Sequence, residues 1–120
     1  MVAQQVTPSE VERELRRLAR EVEAKRAELI ELGTAKGEAE RSWKLAKAQT
    51  MLTSDQSSAQ GREADAIATH PDLHGAYLAA SAVYDAAVES GRLLRAQLEA
   101  VRSVGAMVRT EYGEAERIGS

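Results

Sequence analysis

Cysteine is absent from this chain of 120 residues. That excludes a disulfide framework, thiol catalysis and cysteine-ligated zinc, and it suits a reducing compartment. Phenylalanine is absent too, with one tryptophan, three tyrosines and two prolines. So few bulky apolar side chains argue against a compact sheet or sandwich and leave the Ala-, Glu- and Arg-rich composition of long helices. Apolar runs last only a few residues, too short for a membrane span. Met1 to Val6 lacks the basic-then-apolar order of a secretory leader. Net charge is −3, so wholesale capture of nucleic acid is not expected, although a local basic face is compatible with it. A reduced cytoplasm fits these features, and no membrane contact is expected.

Heptad spacing is what the sequence does contain. Thr7-Pro8-Ser9-Glu10 reads as a capping box with proline at the first helical position. From there, alternating steps of four and three give Val11, Leu15, Leu18, Val22, Lys25, Leu29, Leu32, Lys36, Ala39, Trp43 and Ala46. Nine of these eleven positions are apolar, which predicts a helix over about 8–52 with two polar lapses in its seam. Gly33 and Gly37 soften it locally.

Residues 53–58 are small and polar and read as a turn. Ser57 with Gln60 is the expected cap of a short helix over about Ala59 to Thr69, ended by Pro71. The last helix, about 72–117, carries an uncharged ladder of thirteen positions: Leu73, Tyr77, Ala80, Tyr84, Ala87, Gly91, Leu94, Leu98, Val101, Gly105, Val108, Tyr112 and Ala115. The expected fold is all-α, one domain over 1–120. It is an antiparallel coiled-coil hairpin of two long helices with a short helix or loop at the turn. A seam rich in Ala and Gly lets a partner helix approach closely, so self-association is expected.

Chemistry-bearing patterns are sparse. His70 and His74 flank Pro71, which keeps His70 out of the following helix and argues for a solvated helix start over a metal site. Neither a phosphate-cradling glycine loop nor a pocket-forming acid–base pair is visible, so no enzyme activity, cofactor, metal or small-molecule substrate is expected. Trp43, Tyr77 and Tyr84 have a shape suited to stacking on bases, but all three fall on the seam, where packing is the default role. Trp43 is expected to face the Tyr77–Tyr84 stretch.

Arginine placement is more specific. Arg95, Arg102 and Arg109 recur every seven residues, with Arg92 beside them, and Arg13, Arg16, Arg17 and Arg20 cluster in the first helix. In a hairpin these eight collect at the open end, where guanidinium forks suit phosphate oxygens. The competing reading is a solvated ion-pair surface, because Glu10, Glu12, Glu14, Glu21, Glu23, Glu99 and Glu111 share the region.

Two family resemblances follow from such patterns. Ser42-Trp43-Lys44-Leu45-Ala46-Lys47, a polar turn, and the stretch Leu98 to Arg109 in a long last helix are similar to small all-helical bacteriophage recombination mediators. That resemblance covers about half the chain. It implies a self-assembling accessory protein that binds single-stranded DNA or a recombination protein. Separately, Tyr112-Gly113-Glu114-Ala115-Glu116 resembles the Tyr-x-x-x-Asp/Glu export signal of actinobacterial secreted helical hairpins. The Trp-x-Gly turn of their commonest subgroup is missing, since Lys44 and Leu45 follow Trp43. A scaffold that recruits another helix, without DNA, is the alternative function.

Overall fold

Thr7 opens the first helix as a capping box requires. Its hydroxyl accepts from the Glu10 amide (3.2 Å), and its own amide donates to the Glu10 carboxylate (3.3 Å). Two amides that the first turn leaves without intrahelical acceptors are thereby satisfied. The structure is a computed structural model that describes residues 6–119; most of the Met1 to Val6 leader reading lies outside those residues. It holds three helices, α1 (Pro8–Thr53), α2 (Ala59–Thr69) and α3 (Pro71–Gly119), and no strand among the described residues. The protein is all-α. Gly33 and Gly37 leave α1 uninterrupted.

The short helix begins one residue from its expected cap. Ser58, not Ser57, caps α2, with its hydroxyl accepting from the Gly61 amide at 2.9 Å. The first helical residue is Ala59, so the cap hydroxyl reaches the third helical position, which is Gly61 rather than Gln60. His70 ends α2 with its amide on the Ala66 carbonyl, and its carbonyl accepts from the His74 amide in the first turn of α3. Pro71 occupies the first position of α3, where its missing N–H costs nothing.

The residues group into two compact units, Met1–Arg26 with Glu89–Ser120, and Ala27–Val88. In the second, the later part of α1 and the first part of α3 run antiparallel, with α2 at the turn. Gly33 meets Tyr84, and Trp43 meets His74 with ring centroids 4.7 Å apart. Trp43 therefore lies one helical turn from the Tyr77–Tyr84 stretch expected to face it. Tyr84 instead packs toward Gly33, whose missing side chain makes room, and the Lys36 ammonium sits 4.9 Å from its ring centre. That contact explains one polar lapse in the α1 ladder: lysine covers an aromatic face with its stem and charge. Ala66 of α2 is fully buried, Lys47 pairs with Glu63 at 3.3 Å, and the Ser54 hydroxyl donates to Asp65 at 2.5 Å.

In the first unit, the start of α1 packs on the second part of α3. Leu18 is 1% exposed, Val11 and Val108 are buried, and Gly105 lies under Val11. All eleven α1 ladder positions are buried or half-buried, as are the α3 positions from Leu73 through Val108. Tyr112 and Ala115 are exposed, contrary to the ladder. With Val11 already opposite Gly105, α1 begins too late to cover the last turns of α3.

Candidate phosphate-binding groove

Helical geometry divides the eight arginines rather than gathering them. At ~3.6 residues per turn, Arg13 and Arg20 project from the side of α1 roughly half a turn away from its seam. Arg95, Arg102 and Arg109 lie about a quarter turn from the α3 seam, one above another at intervals of ~10.5 Å. All eight are exposed.

Ion pairing divides them again. Arg16 holds Glu12 (2.6 Å), Arg17 bridges Glu14 and Glu21, Arg92 holds Glu89 (3.3 Å) and Arg102 holds Glu99 (2.5 Å). The Arg17 hydrogen bond holds the Glu14 carboxyl below its ordinary range, and the same bond raises Arg17. Arg13, Arg20, Arg95 and Arg109 make no ion pair among the described residues. Both sequence readings therefore have a part in the surface: four arginines belong to a solvated ion-pair network, and four keep their charge uncompensated.

Arg102 and Arg109 line an open groove with Pro8, Val11, Glu12, Leu15 and Gly105. Its floor is the close contact of Val11 with Gly105, where a Cβ on the glycine would stand 2.8 Å from Val11 Cγ1. The one carboxylate in the lining, Glu12, is already neutralised by Arg16. Arg95 extends the same side of α3 by one heptad. The charge left over along this side is that of Arg95 and Arg109. Two forks set two heptads apart, with a paired Arg102 between them, offer bidentate donors to anionic oxygens along a line.

The aromatic–lysine patch at Ser42 to Lys47 is arranged differently. Trp43 is 4% exposed, Lys44 pairs with Glu40 (2.7 Å) and Lys47 with Glu63. The Lys44 hydrogen bond lowers Glu40 and raises Lys44 itself. Trp43 is buried and Tyr84 half-buried on the seam, so both act in packing. His70 and His74 turn to separate partners, the Thr50 hydroxyl (3.0 Å) and the Trp43 ring. Among the described residues no His, Asp and Glu cluster is spaced to hold a metal ion. The export-like residues Tyr112 and Glu116 are exposed on α3 itself, which runs on to Gly119.

A second, apolar groove does not follow from the ladders. Val6, Val104, Met107, Val108, Tyr112 and Ala115 line it with Glu111. Val104 and Met107 lie off the ladder, and apolar residues at exposed helix positions were the available signal. No helix among the described residues is long and apolar enough to cross a membrane. No family model matches this chain, and neither a curated protein nor a solved structure matches it.

Proposed function

We propose that this protein is a non-enzymatic accessory protein that self-assembles and binds the phosphate backbone of single-stranded DNA along the Arg95–Arg102–Arg109 side of α3. The observation that carries this reading is the column itself. Two of its three guanidiniums have no carboxylate partner, and it borders a groove whose only acid is paired. Contact through phosphates alone suits a protein whose Trp43, Tyr77 and Tyr84 lie on the packing seam: affinity would be sequence-independent and salt-sensitive. The resemblance to phage recombination mediators gives this binding a setting, in which the protein prepares a strand for a recombinase in the bacterial cytoplasm.

Fluorescence anisotropy with a labelled single-stranded oligonucleotide tests it. Arg95→Glu with Arg109→Glu is expected to abolish binding at low salt, while Arg13→Glu with Arg20→Glu, on the far side of α1, weakens it less. Equal losses from the two pairs would overturn the assignment of the groove.

The apolar groove at Val104, Met107 and Tyr112 favours a second reading, a scaffold that recruits a protein helix without DNA. Under it, Met107→Glu abolishes partner capture and the arginine variants leave it intact.

A further inference from the structure

A second, mostly apolar periodicity runs along α3, sharing Ala115 with the ladder and interrupted by Glu111. Leu93, Ala96, Ala100, Val104, Met107, Glu111, Ala115 and Ile118 advance by steps of three, four and four, an eleven-residue repeat. Such a repeat runs nearly straight along a helix at ~3.67 residues per turn. The stripe lies roughly 110° around α3 from the ladder that meets α1, and all eight residues are exposed. Its large members are open: Leu93 by 60%, Val104 by 43%, Met107 by 64% and Ile118 by 87%.

The spacing reads the same in both directions. We infer that this stripe is the face on which two copies of the chain pair, antiparallel, about a two-fold axis crossing α3 between Gly105 and Ala106. A two-fold interface must be its own complement, and this stripe is. The axis sets Leu93 against Ile118, Ala96 against Ala115 and Val104 against Met107 of the second copy, with Glu111 beside Ala100 at the margin of the apolar contacts. Charge selects the antiparallel sense. The first part of this stretch carries Arg92, Arg95 and Arg102 against Glu99, and the last carries Glu111, Glu114 and Glu116 against Arg109 and Arg117. Antiparallel pairing sets the net-basic part alongside the net-acidic one, whereas parallel pairing sets each beside its like.

The area is adequate. Eight large side chains from two copies, at roughly 100 Å² each, give ~800 Å² of apolar surface. Alanines and polar stems bring the total near ~1,200 Å², the lower edge of stable interfaces. This inference rests on the self-assembly part of the proposed function and is independent of the DNA part.

The absence of native cysteine makes cross-linking clean. Leu93→Cys and Ile118→Cys chains are prepared separately, then mixed and oxidised, with sedimentation of the unmodified protein alongside. The expected result is a disulfide dimer from the mixture and none from either variant alone, because like positions would stand ~37 Å apart. Dimers from a single variant would show a parallel or shifted pairing and overturn the register. An oligomer in sedimentation with no cross-link from the mixture overturns the face but leaves self-assembly standing. A monomer at all concentrations overturns both, while the oligonucleotide measurement judges DNA binding separately. Met107→Glu is expected to give a monomer with unchanged helicity by circular dichroism. A Met107→Glu oligomer of the original size would contradict the proposal.

Discussion

Gly105 shows how much one missing methyl group decides. A Cβ there would stand 2.8 Å from Val11 Cγ1, and Val11 is buried and stiff at χ1. Gly105→Ala gains ~1 kcal/mol of helix propensity but forces an overpacked contact costing roughly 1–3 kcal/mol. A net loss of about 1 kcal/mol in urea unfolding is expected. Gly37 and Gly75 face open space, so Gly37→Ala and Gly75→Ala should each stabilise by ~0.5–1 kcal/mol. Equal effects at all three positions would mean that the Val11–Gly105 contact is not tight. The exposed pairs make a weaker contribution. Glu14 and Glu40 are lowered below 4.5 by hydrogen bonds from Arg17 and Lys44. Their folded pKa values lie below the unfolded ones, so the stabilisation is present above the unfolded value and fades as pH falls through the folded one. A small drop in thermal midpoint is expected as pH falls below the ordinary glutamate range, and it should shrink in high salt because both pairs face solvent.

Single elements differ in what holds them. With eleven residues, α2 is shorter than the ~12–15 that an isolated helix needs, so its cap and tertiary contacts must supply the rest. Ser58→Ala removes the hydroxyl that satisfies the Gly61 amide and should cost ~1 kcal/mol. Hydrogen exchange should reveal faster opening across 59–69 than in the neighbouring turns of α1. Unchanged protection would mean that Ala66, Glu63 and Asp65 suffice to hold the helix. The long helices were legible from their ladders because period and burial coincide: Leu18, Trp43 and Val108 stand where spacing places them. Spacing does not reveal where a partner helix stops, so Tyr112 and Ala115 read as covered and are exposed. Nor does it reveal fine register along an Ala-rich seam, where little volume fixes the offset, and Trp43 meets His74 instead of a tyrosine.

For the molecule as a whole, charge matters by where it is left uncompensated rather than by its sum. The net charge is −3, yet the glutamates near Arg16, Arg17, Arg92 and Arg102 occupy those four and leave Arg95 and Arg109 along one side of α3. The sequence revealed the heptad recurrence of these arginines. That Arg13 and Arg20 face away follows from helical spacing, but which arginines are neutralised depends on side-chain choices among several acids within reach at i±3 and i±4. The most direct test of the phosphate column is a salt titration of single-strand affinity for the unmodified protein and for Arg95→Ala with Arg109→Ala. The account predicts a linear fall of log affinity with log salt, and a slope about 1.4 shallower in the variant, because each of the two arginines neutralises one phosphate at ~0.7 of slope. Binding that ignores salt, or a slope identical in the two proteins, would contradict it.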